Sequence, residues 1–421
     1  MKERSYICID LKSFYASVEC VERGLDPMKA KLVVADPERG GGTICLAVSP
    51  ALKAMGVKNR CRVFEIPTNI EYIKAPPRMK LYIDYSAEIY GVYLSFFAPE
   101  DIHVYSVDEA FIDVTDYLAM YRQTPRELAK TVMAQILRQT GIRATCGIGA
   151  NLYLCKIALD ILAKHAPDFI GELTPESYRE TLWDHRPLTD FWRIGGGTAA
   201  RLAKHGIYTM RQITQANEDM LYREFGIDAE LLIDHAWGME SAAMADIKKY
   251  KSKSNSLSSG QVLMRDYNYD EARLITKEMM DLLCLRLVKH GYITNSLSLY
   301  VGYTHTLEVP GARGSTTLSH ATNAPKLMLP AITALYNRIV NPYYAVRRVC
   351  IACNHVEPEG DIQLSMFDDY TQDEKDRDLQ VAMLEIKQRY GKNAVLKGMN
   401  YEEAGTTIER NGQIGGHKSG E

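Results

Sequence analysis

Ser106-Val107-Asp108-Glu109-Ala110-Phe111 decides how this chain is read, because it sets two adjacent acids inside an apolar, strand-forming run. His103 to Val107 and Ala110 to Val114 are β-rich on either side, so the acids should sit at a hairpin. A third carboxylate, Asp10, closes the apolar run Tyr6-Ile7-Cys8-Ile9. Burying unpaired charge is costly, whereas three carboxylates converging from two strands make an oxygen-only site suited to magnesium. Two cations about 4 Å apart in such a site activate a hydroxyl and stabilise a leaving oxygen. The pattern therefore predicts two-metal phosphoryl transfer. Asp10 and Asp108 would bridge the ions, Glu109 would complete the one nearer the attacking hydroxyl, and the Leu11 carbonyl would serve the other. An acidic pair merely exposed on a turn is the plainer reading of Asp108 and Glu109 taken alone. Asp10, in its matching setting, weighs against it.

Outward from the acids, residues 5–10 read as a strand and Phe14 to Val21 as a helix, with Phe14, Val18 and Val21 on one stripe. Lys31 to Ala35 reads as a strand, Gly40-Gly41-Gly42 as a turn, Thr43 to Val48 as the partner strand, and Ser49 to Met55 as a short helix ended by Gly56. A tyrosine-rich helical pattern runs from Leu81 to Phe97. A helix over 125–139 and a strand from Arg143 to Ile148 complete an α+β sheet. From 172 to 240, short helices are broken by glycine. Lys248 to Ser259, polar and poor in large apolar groups, reads as a linker. Beyond it come a helix from Glu271 to Lys289, a strand from Ser296 to Tyr303, a helix from Leu327 to Val340 and a strand from Arg348 to His355, a second α+β domain. The tail holds an acidic segment, a helix from about Gln372 to Tyr390, and a glycine-rich polar end expected to fray.

At 421 residues and 46% hydrophobic content, the chain has room for two to four packed domains. No apolar run approaches the roughly 18 residues that span a bilayer, and Met1-Lys2-Glu3-Arg4 leads straight into a strand, so no membrane partner and a cytoplasmic location are expected. Nine scattered cysteines fit reduced thiols better than a disulfide framework. The net charge of -3 hides an asymmetry: residues 241–360 carry 14 Lys and Arg against 9 Asp and Glu, whereas residues 361–421 carry 8 against 12. A basic module is what a phosphate-contacting surface needs, although many ordinary domains are as basic.

Other motifs carry chemistry more weakly. Phe14-Tyr15 opens the helix after the first acidic strand, so a ring there lies near any bound nucleotide. A bulky ring beneath the sugar would clash with a 2′-hydroxyl and select deoxyribose. Tyr15 is assigned to that gate and Phe14 nearer the core, against the plainer reading of core packing. Lys53 and Lys164 are candidates for triphosphate contacts, against solvated surface lysines. Ile194-Gly195-Gly196-Gly197-Thr198 resembles a helix-hairpin-helix. There Gly195, Gly197 and Thr198 would let free N–H groups take a DNA phosphate without reading sequence, against a plain helix cap. Cys350-Ile351-Ala352-Cys353 has no second pair at zinc spacing and reads as strand. Gln363-Leu364-Ser365-Met366-Phe367 places apolar anchors in a polar tail, a peptide suited to a partner's groove through Gln363, Leu364, Met366 and Phe367. Docking onto its own domain is the alternative.

Asp10-Leu11-Lys12-Ser13-Phe14-Tyr15-Ala16-Ser17-Val18-Glu19 and Ser106-Val107-Asp108-Glu109-Ala110-Phe111 resemble the two acidic motifs of Y-family DNA polymerases. The likeness extends through Gly147-Ile148-Gly149 to Lys156 and Lys164, the Gly195 hairpin, the linker and the basic domain, over about residues 5–356, and is most similar to the UmuC-related UV-damage repair polymerases of Gram-positive bacteria and their mobile elements. It implies an α+β multidomain right hand. The ferredoxin-like palm would be 1–22 and 81–171, the small fingers 23–80, and a helical thumb with the helix-hairpin-helix 172–243. A linker at 244–253, an α+β little finger at 254–356 and a tail at 357–421 would follow. It also implies low-fidelity translesion synthesis with two Mg2+ ions, deoxynucleotides and primer-template DNA. The Gln363 to Phe367 peptide is similar to the sliding-clamp-binding peptide of bacterial polymerases, and accessory SOS proteins are possible partners of UmuC-like relatives.

Three positions depart from the family pattern. Lys12 stands where many members have another acid, Pro50 where many have a phosphate-binding tyrosine, and Lys53 where many have arginine, a point contact in place of a fork. Ser49 could supply a hydroxyl nearby. Two other readings compete. A nucleotidyl cyclase also pairs carboxylates on a small sheet but needs no glycine hairpin, basic domain or clamp peptide. A non-catalytic DNA-binding or clamp-competing module would not need all three acids.

Overall fold

The structure, a computed structural model, describes residues 4–252, 255–360 and 370–420. Contacts divide the chain into two compact units, one running to Tyr250 and the other from Lys251 to Ser419.

The first unit opens with β1 (Tyr6–Leu11) and α1 (Phe14–Val21), followed by β2 (Leu32–Val34), β3 (Ala47–Val48), α2 (Pro50–Ala54) and β4 (Ile73–Ala75). Next come α3 (Met79–Leu94), β5 (Ile102–Val104), β6 (Glu109–Asp113), α4 (Tyr117–Tyr121), α5 (Pro125–Thr140) and β7 (Ala144–Gly149). α6 (Leu152–Ile157), continued by a π-helical stretch at Ala158–Ala163, then leads to β8 (Ile170–Leu173). Five strands form one sheet in the order β5-β6-β1-β7-β8, antiparallel except for the parallel β7–β8 pair. β3-β2-β4 form a separate small sheet.

Alternation along β1 assigns its two faces. Ile7, Ile9 and Leu11 join a buried core with Tyr82, Ile89 and Val92 of α3 and Leu128, Val132 and Ile136 of α5. Tyr6 and Cys8 point the other way, packing with Phe111, Leu152, Cys155 and Leu159. A slip of one residue would exchange the two sets, so the buried aliphatic run fixes the register. That register puts Asp10 on the same face as α6.

The helix can lie close to the sheet because β7 carries glycine there. A Cβ on Gly147 would meet the Cys155 carbonyl oxygen at 2.0 Å and the Leu159 nitrogen at 2.3 Å, and one on Gly149 would meet the Cys155 nitrogen at 2.3 Å. Removing the side chain is the only way for backbone to approach backbone so closely.

The unit continues with α7 (Pro175–Leu182), α8 (Gly196–Lys204), α9 (Met210–Thr214), α10 (Glu218–Phe225) and α11 (Asp228–Trp237), around a core that includes Tyr178, Phe191, Leu202 and Leu221. α12 (Met244–Lys249) packs Met244 and Ile247 with the α6 face of the large sheet, and the Lys248 ammonium donates to the carbonyls of Pro99 and Ile102. The linker expected at Lys248 to Ser259 is thus shortened at both ends. Lys248 and Lys249 finish a helix anchored on the first unit, and Leu257 begins a strand of the second.

That second unit contains β9 (Leu257–Tyr267), α13 (Tyr269–His290), β10 (Tyr292–Tyr303), β11 (Ala312–Thr322), α14 (Pro325–Ile339), β12 (Val346–Asn354) and β13 (Glu357–Pro358). The sheet runs β11-β10-β12-β9, antiparallel throughout, with β13 beside β10. Leu297, Leu299, Val349 and Ile351 face α13 and α14, while Val262, Met264 and Tyr300 remain exposed. α15 (Tyr370–Tyr390) and α16 (Thr407–Asn411) follow, with a final hairpin of β14 (Gln413–Ile414) and β15 (His417–Lys418).

The glycine-rich end, expected to fray, is docked. Glu278 of α13, 1% exposed, accepts from the Asn400 amide at 2.8 Å and the Thr406 backbone N–H at 2.8 Å, and Lys397 pairs with Asp281. Specific partners for buried carboxylates hold this segment, a signal that glycine content hides. All nine cysteines are free thiols, with Cys353 buried and Cys350 half-buried on β12. Among the described residues, no helix is long and apolar enough to cross a membrane.

Candidate active site

Asp10 lies directly opposite Glu109 in the β1–β6 ladder, and the Leu11 N–H donates to the Asp108 carbonyl oxygen at 2.9 Å. The turn between β5 and β6 is closed by the N–H groups of Tyr105 and Ser106 on the Glu109 carbonyl, which leaves Asp108 at its end. Ser106 Oγ donates to Asp108 Oδ1 at 2.6 Å and fixes that carboxylate. The three acids expected from sequence are therefore brought together by register and turn. Directly opposed like charges are unfavourable. Burial, with Asp108 and Glu109 adding to it, pushes the Asp10 carboxyl up to about 7, against the opposing pull of Lys164 and Lys156.

Glu109 has a cation already. The Lys156 ammonium of α6 lies 2.8 Å from Glu109 Oε1 and 2.9 Å from Oε2, and also 2.9 Å from Asp160 Oδ2. Cys8 Sγ donates to Glu109 Oε1 at 3.3 Å. Burial alone would lower the Lys156 pKa, but Asp160 and Glu109 outweigh it and hold the ammonium above its ordinary value. Lys164 binds the other Asp160 oxygen at 3.1 Å, so Asp160 ties both lysines to the π-helical stretch.

Lys12 and Lys53 stand in the same field. Burial lowers both, with Lys164 adding to each and Asp10 opposing, and the Lys12 ammonium sits 4.4 Å from the centre of the Phe169 ring. Phe14 is 3% exposed in the core, whereas Tyr15 is half-buried and stacks on Tyr82 with centroids 4.4 Å apart. Burial, then Asp108, raises the Tyr15 phenol. Ser49 differs from expectation: it is fully buried, and its hydroxyl accepts from the Leu32 N–H at 3.1 Å, which commits it to holding β2.

Gly195, Gly197 and Thr198 lie on a separate element, at the start of α8, where a Cβ on either glycine would meet nothing within 4 Å. Gln363, Leu364, Met366 and Phe367 fall outside the described residues. Sequence reasoning gave no role to Lys156 as the Glu109 partner, to Ser106, or to the group around Tyr82. The one available signal for Lys156 was Gly147 and Gly149, two glycines two apart on a strand that precedes a helix. Among the described residues, no group of three or more Asp, Glu, His or Cys is placed so as to hold a metal ion, and both Glu109 oxygens are paired with Lys156.

Residues 9–160 match the model of the impB/mucB/samB family, and residues 254–366 match that of its C-terminal domain. UvrX of Bacillus subtilis (strain 168), whose name assigns it to UV-damage repair, is 32% identical over 418 residues, covering 99% of this chain and 98% of that protein. DNA polymerase IV 2 of the same organism is 29% identical, covering 99% of each chain. DNA polymerase IV of Pelotomaculum thermopropionicum is 27% identical, covering 96% of this chain and 97% of that one. A solved Y-family DNA polymerase chimera, Dbh-Dpo4-Dbh, shares the fold with a TM-score of 0.64 at 21% identity, over 84% of this chain and 99% of its own.

Proposed function

The chain belongs to the impB/mucB/samB family of Y-family DNA polymerases, and from that premise we propose that it is a DNA-directed DNA polymerase extending a primer 3′-hydroxyl with deoxynucleotides, at low fidelity and past template lesions. The observation that carries the reading is Asp10 opposite Glu109 and joined through Leu11 to Asp108, with the Asp10 carboxyl pushed up to about 7 by burial and by those two acids.

Asp10, Asp108, Glu109 and the Leu11 carbonyl would hold two magnesium ions. The donors are oxygen only, and two of the carboxylates face each other across the β1–β6 pair, a donor chemistry that suits a hard divalent ion. Bound magnesium supplies a lowered pKa for the primer hydroxyl and neutralises charge on the phosphates. Glu109 would be one of the ligands, and Lys156 would keep Asp160 as a second partner. Lys53 and Lys164 would take the triphosphate, with Lys12 in the same field. Tyr15 would sit beneath the sugar and exclude a 2′-hydroxyl.

On this reading residues 1–22 and 81–171 are palm, 23–80 fingers, 172–243 thumb and 254–356 little finger. The start of α8, through Gly195, Gly197 and Thr198, would take a DNA phosphate without reading sequence. Gln363, Leu364, Met366 and Phe367 would bind the bacterial sliding clamp, with accessory SOS proteins as further partners in the cytoplasm. The test is primer extension on undamaged and lesion-containing templates beside Asp108→Ala. Magnesium-dependent extension past the lesion that vanishes in the variant supports the proposal. Extension that stops at every lesion removes the translesion part, and equal extension by the variant removes the assigned site.

A further inference from the structure

Behind Tyr15 lies a layer of residues with no assigned part in nucleotide selection. The Tyr82 ring of α3 is fully buried and nearly parallel to Tyr15, with centroids 4.4 Å apart and planes inclined by 16°. Its hydroxyl donates to Glu19 Oε1 at 2.8 Å. Glu19 of α1 is itself fully buried, and Arg78 grips it in a fork, Nε to Oε1 at 2.9 Å and a terminal nitrogen to Oε2 at 2.8 Å. Arg23, one turn on from Glu19, donates to the Glu19 carbonyl at 2.8 Å and pairs with its carboxylate. Burial alone would raise the Glu19 pKa, but the bonds from Arg78, Arg23 and Tyr82 outweigh it and keep the carboxylate charged.

We propose that Tyr82 is a positioning residue for sugar selection: its ring sets the plane of Tyr15, and the Glu19–Arg78 fork sets the plane of Tyr82. The inference rests on the assignment of Tyr15 as the gate and adds what makes that gate rigid. Exclusion of a single hydroxyl needs a ring that cannot yield by a fraction of an ångström. Tyr15 is half-buried at the start of an eight-residue helix, packed against the edge of the core with the Phe14 ring 5.7 Å away and tilted. A parallel ring at stacking distance restricts its rotamer, and such a stack is worth roughly 0.5–1.5 kcal/mol, a factor of about 2 to 12 in an equilibrium. Tyr82 is itself anchored. Its own hydroxyl is fixed on a buried carboxylate held by a planar two-point donor, the pairing for which arginine is suited and lysine is not. The contacts span α1, Arg78 and α3, so the gate is braced by the core and not by the nucleotide.

The experiment compares kcat/KM for deoxyribonucleotides and ribonucleotides on one primer-template with four full-length variants, Tyr15→Ala, Tyr82→Leu, Tyr82→Phe and Glu19→Gln. The ratio is taken on the same enzyme preparation, so loss of folded protein cancels. Tyr82→Leu should lower discrimination by about 2- to 12-fold, the value of the stack, chiefly by admitting ribonucleotides and with deoxyribonucleotide kcat little changed. Tyr82→Phe keeps the ring and should retain most of the discrimination. Glu19→Gln leaves both rings in place and should move the ratio in the same direction as Tyr82→Leu by a smaller factor. Unchanged discrimination in both Tyr82→Leu and Glu19→Gln, with Tyr15→Ala relaxed, overturns the positioning role while leaving the gate intact. Unchanged discrimination in Tyr15→Ala removes the gate itself. Should Tyr82→Leu not accumulate as folded protein, Glu19→Gln decides.

Discussion

Asp10 on β1 stands directly across from Glu109 on β6, an acid facing an acid on the buried α6 side of the sheet. That opposition costs stability, as like charges across a strand pair do. Asp10→Asn should therefore raise the stability of metal-free protein at pH 8, by on the order of 1 kcal/mol or more, while abolishing primer extension. Paired thermal melts in chelator and extension assays check both halves. A variant that is less stable than the parent would show that Asp10 is already compensated.

Lys156 neutralises Glu109, and both side chains are under a tenth exposed. Removing one partner of a buried pair typically costs about 3–5 kcal/mol. Lys156→Met should show a loss of that order in urea denaturation, and magnesium should recover more of it than it adds to the parent protein. An equal effect of magnesium on both proteins would separate Lys156 from the metal site.

Gly147→Ala places a methyl group 2.0 Å from the Cys155 carbonyl oxygen. The helix must shift, at a cost of about 3 kcal/mol or more, and Lys156 moves with it. The expected result is a lower denaturation midpoint together with weaker magnesium-dependent activity. Full stability would mean that α6 can ride away from the sheet without strain.

Glu19 supplies the pH dependence. Its carboxyl is held below the ordinary range by Arg78, Arg23 and Tyr82 in spite of burial, so its contribution is present above the unfolded pKa and is lost as pH falls through the lower folded value. The parent should lose stability below about pH 4.5 more steeply than Glu19→Gln, which has no charge to protonate. The comparison is made by melting temperature against pH, and parallel curves would contradict it.

The peptide from Gln363 to Phe367 can be tested by binding. Phe367→Ala should weaken affinity for the sliding clamp by at least tenfold, the scale of an anchor side chain worth more than about 1.4 kcal/mol, and leave extension on short primers unchanged. Unaltered affinity would remove the clamp assignment.

Sequence carried four strands of the large sheet and the helices Phe14 to Val21 and Pro125 to Thr140, which follow the alternation or the helical stripe that burial imposes, but it gave no strand at Ile170 to Leu173. The neighbouring positions of Asp10, Asp108 and Glu109 were legible for the same reason, because apolar neighbours fixed their register. What it missed was polar sequence that is nonetheless ordered. The start of β9 and the whole of β11 line a sheet with one open face, so serine and threonine replace the apolar signal. The docked end around Asn400 and Thr406 is held by two buried carboxylates on α13 that only tertiary contact reveals. Ser49 was legible only as a hydroxyl beside a candidate phosphate site, and tertiary contact alone shows it fully buried and accepting from the Leu32 N–H.

The most direct test of the three-acid site is metal occupancy, measured with Mn2+ as the probe by electron paramagnetic resonance in the presence of primer-template and a non-reactive deoxynucleotide analogue. The parent protein should hold two ions per chain beyond those bound by nucleotide and DNA alone, and Asp10→Asn should lose both at the same concentration, since on the proposed reading Asp10 would be a ligand to each. Two ions retained by Asp10→Asn would contradict the assignment of Asp10, Asp108 and Glu109 as one metal site.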